Sequence, residues 1–174
     1  MDNSDNIYAI AESSYYDKSI PLFALDTYKP NSHGEDFFSR KQAWFYVYGD
    51  EEMKREFLQK LSSLIESRFI NDSIEWDMIV PVPSHIKDDI NKNMAELSRE
   101  LAERANLSYK EVARRKETIR ESHELDAFEA KVVNLEGSLE ISEDLEGKNI
   151  ILIDNIAISG ATLIHTANQL MEAG

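Results

Sequence analysis

Asn149-Ile150-Ile151-Leu152-Ile153-Asp154-Asn155-Ile156-Ala157-Ile158-Ser159-Gly160-Ala161-Thr162 is the stretch that decides the fold. Its first five residues run into an uninterrupted apolar segment, the pattern of a strand buried on both faces. An acidic residue closes the run, and a short loop carrying Ser159, Gly160 and Thr162 follows. Leu163, Ala167, Leu170 and Met171 then recur along one side of a helix, with Gly174 as a plausible stop. The order is strand, loop, helix.

The same order occurs earlier. Met78-Ile79-Val80 is a short apolar run stopped by Pro81 and Pro83, and Ile90, Met94, Leu97 and Leu101 set a helix behind that loop. Buried strands alternating with helices imply an α/β fold around a parallel sheet. Further back, Asp50 can cap a helix opening with Glu51 and Glu52, whose apolar face is Met53, Phe57, Leu61, Leu64 and Ile65. Trp44, Phe45, Tyr46 and Tyr48 are strong β-formers and read as an aromatic strand packed on that helix. Residues 7–10 and 22–28, separated by the turn-like Tyr16-Asp17-Lys18-Ser19, read as an antiparallel pair. Residues 31–36 have a loop composition, and residues 1–6 read as a disordered tail.

With 174 residues, the chain is long enough for a single domain with a real core. There is no Cys, which excludes disulfide scaffolds, thiolate-held zinc, iron–sulfur clusters and a Cys nucleophile. The 19 Lys and Arg against 33 Asp and Glu give a formal charge of −14, the wrong sign for direct nucleic-acid binding. No apolar run approaches the ~20 residues of a membrane span. The polar start Met1-Asp2-Asn3-Ser4-Asp5 is no signal peptide. A cytoplasmic protein without a membrane partner is the expectation.

In a parallel α/β sheet, ligands bind beyond the carboxyl ends of the strands. Here those ends follow Val80 and Ile153. After Ile153, Gly160 permits a tight turn, the helix start offers N–H groups, and the Ser159 and Thr162 hydroxyls add donors: a cradle for a phosphate. Asp154 at the strand end can accept hydrogen bonds from sugar hydroxyls or touch a metal. The same residues would also serve a plain strand-to-helix turn. The nucleotide signatures G-x-x-x-x-G-K-[ST] and G-x-G-x-x-G are both absent.

Residues 150–162 resemble the phosphoribosyl-pyrophosphate (PRPP) motif of type I phosphoribosyltransferases, an apolar strand, two acidic residues and a T-G-x-T loop. Asp77-Met78-Ile79-Val80-Pro81-Val82-Pro83-Ser84-His85 resembles the IVPVPxH segment of the ComF-like, amidophosphoribosyltransferase-related group. Asn93-Met94-Ala95-Glu96-Leu97, Arg115-Lys116-Glu117-Thr118 and Asn134-Leu135-Glu136-Gly137 match that group's N-x-A-E-L, R-x-x-T and N-x-x-G stations in order. The resemblance covers residues 76–174. It implies a three-layer, Rossmann-like type I phosphoribosyltransferase fold with a central, mainly parallel sheet. It further implies that PRPP, or a nucleotide containing ribose 5-phosphate, is bound with Mg²⁺, and that a nitrogen nucleophile displaces pyrophosphate from ribose C1.

Carried over by position, Asp154 and Asn155 would be catalytic. Asp154 would hold the ribose hydroxyls and reach the metal through ribose or water. Ala157, Ile158, Ser159, Gly160, Ala161 and Thr162 would hold the 5′-phosphate, and the loop with Pro83, Ser84 and His85 would lie against the pyrophosphate. Arg114, Arg115 and Lys116 belong to a basic cluster with Lys110 and Arg120, either an attraction for a polyanion or a solvated face. A mobile loop closing over the site is expected in this stretch.

The chain departs from the motif at two positions. Asn155 stands where the second acid would be, and Ile158 where a Thr would donate to the phosphate. Both bear on turnover more than on fold, so a catalytically inactive PRPP or nucleotide sensor, or an interaction module, is the alternative. Of the four histidines only His85 is a site candidate. His123 goes with the mobile loop, His33 with a surface loop and His165 with a helix surface. The family fold continues into a further strand beyond residue 174. The chain is thus either a fragment or leaves a sheet edge open to a second copy, as a homodimer.

Overall fold

Met78, Ile79, Val80 and Pro81 are all buried, and Ile150 to Ile153 lie alongside them in parallel register, with Met78 opposite Ile150 and Pro81 opposite Ile153. These two apolar runs are the heart of a computed structural model that describes residues 8–9, 23–25, 37–70, 74–157 and 159–174. In chain order the elements are β1 (Tyr8–Ala9), β2 (Phe23–Ala24), α1 (Phe37–Tyr48), α2 (Glu51–Leu64) with a π-helical extension Ile65–Ile70, β3 (Met78–Pro81), α3 (Lys92–Ala105) and β4 (Ser108–Tyr109). There follow β5 (Ala113–Arg115), a 3₁₀ turn Ser122–Glu124, α4 (Phe128–Leu135), β6 (Leu139–Ile141), β7 (Ile150–Ile153) and α5 (Ala161–Glu172).

The central sheet is parallel, in the order β4-β3-β7. Its shortness beside β4 has a local cause. Lys110 N–H donates to the Ile79 carbonyl, and Pro81, two residues on, has no N–H with which to continue the ladder. Alternation along the strands divides the core between two faces. Ile79, Ile151 and Ile153 point into a cluster with Phe45, Phe57, Leu58, Leu97 and Leu101 from α1, α2 and α3. Met78 and Val80 point the other way, to Val112, Leu145 and Leu170 of α5. Helices therefore cover both faces. Among the described residues no helix is long and apolar enough to cross a membrane.

The helix caps follow the sequence. Asp50 Oδ1 accepts from the N–H groups of Glu52 and Met53, each at 3.0 Å, as its place before Glu51 predicts. Asn91 does the same for α3, accepting from Asn93 and Met94. Asn106 ends α3 in the left-handed region, a conformation its short amide tolerates.

Two expectations for the N-terminal part meet different outcomes. Tyr8 pairs with Ala24 and Ala9 with Phe23, antiparallel as expected. The rest of residues 7–10 and 22–28, the tail at 1–6, the turn at 16–19 and the loop at 31–36 lie outside the described residues. The aromatic run is not a strand: Trp44, Phe45, Tyr46 and Tyr48 lie in α1. Tertiary packing overrides their β propensity. Gln42 and Phe45 are buried at helical spacing, and Phe45 meets Phe57 edge-on at 5.6 Å, while Trp44, Val47 and Tyr48 face outward. Gly49 closes the helix at φ +68, where a Cβ would come 2.5 Å from Asn93 Oδ1. The Asn91 and Asn93 amides cap the carbonyl of Tyr46, and Asn93 also that of Phe45.

Candidate functional site

From β3 the chain crosses through α3 to β4 on one side, while β7 lies on the other. The loops leaving the ends of β3 and β7 therefore part company, and a crevice opens between them, where ligands bind in open α/β sheets. A cleft of about 270 Å³ lies there, close to the lower end of the usual small-molecule range. Its lining includes Pro83, Ser84, His85, Arg115, Asp154 and Asn155, together with Ala157, Ser159, Gly160, Ala161 and Thr162. Of the expected phosphate loop, Ile158 lies outside the described residues.

Asp154 leaves the end of β7, and its Oδ1 accepts from the Asn155 N–H at 2.8 Å. Burial pushes its carboxyl up to about 6, against the opposing pull of that N–H and of the Arg115 cation. Arg115 is fully buried at 1% exposure. Its Nε donates to the Ser84 carbonyl at 3.2 Å and its Nη1 to Ser138 Oγ at 2.6 Å, while Ser138 donates onward to the Leu135 carbonyl. Burial lowers the guanidinium to about 10 and Asp154 acts against that fall, so Arg115 is a fixed cation at neutral pH. The buried Arg115 and the half-buried Asp154 both line the cleft.

The α5 end supplies donors. Gly160 turns the chain at φ +72 and has no side chain to cap the helix, and the first intrahelical bond runs from Ile164 N–H to the Gly160 carbonyl. The N–H groups before Ile164 have no intrahelical acceptor. Ser159 Oγ takes a long bond of 3.4 Å from Ala161 N–H, and the Thr162 hydroxyl meets that of Ser122 at 3.2 Å.

The third wall is residues 119–122, at the end of the stretch that follows Arg115. This stretch, expected to hold a mobile loop, is bonded on both sides in the structure. Ile119 N–H donates to the His85 carbonyl, Lys87 N–H to Thr118 Oγ1, and Asp88 N–H to the Arg115 carbonyl. Asn134 of α4 grips it from behind, accepting from Arg120 N–H at 3.2 Å and donating to the Arg120 carbonyl at 2.9 Å. His85 Nε2 lies 3.2 Å from Glu121 Oε1. Thr118 and Asn134, the hydroxyl and amide of the R-x-x-T and N-x-x-G stations, thus hold loops together.

The basic cluster divides. Strand alternation in β5 turns Arg115 inward and leaves Arg114 exposed, and Lys116 beyond it is exposed too, so neither of these two expected binding residues lines the cleft. Lys110 pairs with Glu143 at 3.1 Å, away from it. Arg120 and Lys131 reach the cleft instead, with Tyr46 and Asn91. Lys131 and Asn91 carry no local signal of this role. Tyr46 was hidden by the strand reading of its segment. His165 differs from its expected place on the helix surface. It is half-buried, its Nε2 finds no hydrogen-bond partner among the described residues, and burial lowers its pKa, followed by the nearby Arg115 charge. Among the described residues, no three His, Asp or Glu side chains gather in a cluster able to hold a metal by themselves. Comparison with protein-family models, with curated proteins and with solved structures gave no match.

Proposed function

We propose that this cleft binds PRPP, or a nucleotide carrying ribose 5-phosphate, and that the chain is a type I phosphoribosyltransferase-like protein of the cytoplasm. One observation carries the reading. The open N-terminus of α5 with the Ser159 and Thr162 hydroxyls, the Asp154 carboxylate at the end of β7, and the buried Arg115 guanidinium all converge on a single crevice. Those are the groups a sugar phosphate needs: N–H donors for the phosphate, an acceptor for the ribose hydroxyls, and a fixed cation beside the leaving group. A parallel sheet with helices on both faces is consistent with the Rossmann-like fold that the motifs suggest.

Mg²⁺ suits this donor set only as a shared ion. Asp154 offers one carboxylate, and Mg²⁺ commonly takes one or two carboxylates and fills its shell with water and substrate phosphates. When bound it would neutralise the departing pyrophosphate. The chain's own residues do the rest. The α5 amides orient the 5′-phosphate, Asp154 fixes the ribose, and residues 119–122 shield one side from water. The acceptor nitrogen forms its bond to C1 as the C1–O bond breaks, and pyrophosphate leaves with that electron pair.

Titration calorimetry with PRPP and Mg²⁺ tests the reading: binding is expected, lost in Asp154→Ala. Absence of heat from the wild type sinks it. A second reading, a sensor that binds without turnover, is favoured by Asn155, which lines the cleft as an amide where a second acid would stand. Pyrophosphate release across a panel of bases and amines separates the two.

A further inference from the structure

Gln42 is a polar side chain where an apolar one would pack without penalty. It lies in α1 at 5% exposure, and its Oε1 is buried with no hydrogen-bond partner among the described residues. An amide oxygen buried without a donor lowers stability, and a Met or Leu here would not carry that cost. Its Nε2 reaches across the fold, donating at 3.3 Å to the carbonyl of Asn155, 113 residues further along the chain. Chemistry sets the orientation of the amide: a carbonyl only accepts, so the nitrogen must face it.

Asn155 is thereby held from two sides. Its carbonyl accepts from Gln42, and its N–H donates to Asp154 Oδ1 at 2.8 Å. The anchor on α1 is itself fixed, since Phe45 packs on Phe57 and the Asn91 and Asn93 amides close the helix end. Asp154 and Asn155 line the cleft, whereas Gln42 does not. A residue that breaks the packing rule of the core and spends its donor on the site is placed there for the site.

Resting on the phosphoribosyl reading above, we propose that Gln42 is a positioning residue: from behind the cleft it holds the Asn155 backbone, so that the Asp154 carboxylate meets the ribose hydroxyls in a set orientation. A group ordered before the ligand arrives has less freedom to lose on binding. Without the Gln42 donor the Asn155 carbonyl is released, and the N–H that holds Asp154 loses its fixed place with it.

The experiment takes two substitutions in the full chain through titration calorimetry with ribose 5-phosphate, urea unfolding and NMR titration of the Asp154 carboxyl. Gln42→Met keeps the volume and removes both the unpaired oxygen and the donor. It is expected to unfold at the wild-type urea concentration or above it, yet to bind ribose 5-phosphate about fivefold more weakly, the equivalent of one hydrogen bond. Its Asp154 carboxyl should titrate above the wild-type midpoint, because the Asn155 N–H that opposes the rise is no longer held. Gln42→His restores a donor, since an imidazole Nε2 reaches about as far from the backbone as the Gln amide nitrogen. It is expected to bind within about twofold of the wild type even where it unfolds earlier. A purely structural role would make affinity follow stability through the pair. Wild-type affinity in Gln42→Met, equal weakening in both variants, or an unmoved Asp154 midpoint overturns the inference and leaves the phosphoribosyl reading standing. Failure of the wild-type chain to bind ribose 5-phosphate overturns that reading, and the Asp154 midpoint then still decides whether Gln42 holds the carboxylate.

Discussion

The loops that leave β3 and β7 start side by side, with Pro81 opposite Ile153, yet they are built in opposite ways. The loop after β3 is stiffened by Pro83 and consumes its own polar groups. Ser84 N–H donates to the Asp89 carbonyl, Ser84 Oγ donates to Asp89 Oδ2 and accepts from Ile86 N–H, and the N–H groups of Lys87 and Asp88 go to Thr118 and Arg115. Among its described residues, the loop after β7 commits less. Asn155 N–H folds back on Asp154, the Asn155 carbonyl accepts from Gln42, and Ser159 takes one long bond. Hydrogen-bonding capacity left open beside a cleft is capacity for a ligand, so the first loop is a wall and the second a binding loop.

Arg115 is bonded to the first loop through the Ser84 carbonyl, its charge acts on Asp154 of the second, and it gives the largest effect. Arg115→Met strips the Ser84 carbonyl of its Nε donor and leaves Asp154 without its cation. Removing a buried cation that bonds the Ser84 carbonyl and the Ser138 hydroxyl destabilises by about 3 kcal/mol. Urea unfolding should show a loss of that order, with PRPP binding abolished. NMR titration should find the Asp154 pKa higher still than in the wild type, since the Arg115 charge now opposes its rise. An unmoved Asp154 would show that the cation does not reach the binding loop.

Asp154→Asn acts next, with opposite signs on binding and stability. Because the folded carboxyl titrates at about 6, above its ordinary value, the native state holds the proton more tightly than the unfolded chain. The wild type therefore loses stability relative to the variant as pH rises from about 4 to about 6, and the deficit stays constant above that. We expect the variant to be more stable at pH 7.5 by about 2 kcal/mol, and to bind ribose 5-phosphate at least tenfold more weakly. Equal stability of the two proteins across that window would show that the carboxyl is solvated.

Two serines sharpen the contrast on a smaller scale. Ser84→Ala breaks the internal bond to Asp89 and should lower stability by about 1 kcal/mol while changing ribose 5-phosphate affinity less than twofold. Ser159→Ala should do the reverse, leaving the urea midpoint in place and weakening the ligand several-fold. Matching behaviour of the two variants would erase the distinction between wall and binding loop.

The elements with local signals were legible in the sequence: the apolar runs of β3 and β7, the cap at Asp50, and the turn at Gly160 are set by residues within a few positions of one another. Asp154 and the α5 donors came with them. What the sequence hid depends on contacts between distant segments. Helix α1 exists because Phe45 finds Phe57 and because the amides of Asn91 and Asn93 close its end, so its aromatic composition misled. The strap over the cleft depends on Asn134 holding Arg120, a contact across 14 residues, and Lys131 arrives from the helix behind it. The basic cluster was visible as charge, but a three-residue strand is too short to reveal which of its arginines turns inward.

That last ambiguity yields the smallest expected effect. Arg114, Arg115 and Lys116 are adjacent and alike in charge, so if the cluster acted on a polyanion through its field alone, each would matter in similar measure. The structure separates them by strand alternation, with Arg115 buried in the cleft lining and its two neighbours exposed. Arg114→Ala and Lys116→Ala should each shift stability by no more than about 0.5 kcal/mol, as exposed substitutions do. Screening by salt reduces what remains of their influence on a bound phosphate, so at ~0.15 M ionic strength the PRPP affinity should change by less than about twofold. A loss from either variant that approached the Arg115→Met result would mean that these side chains swing over the bound ligand, and that the face of β5 turned away from the cleft also belongs to the site.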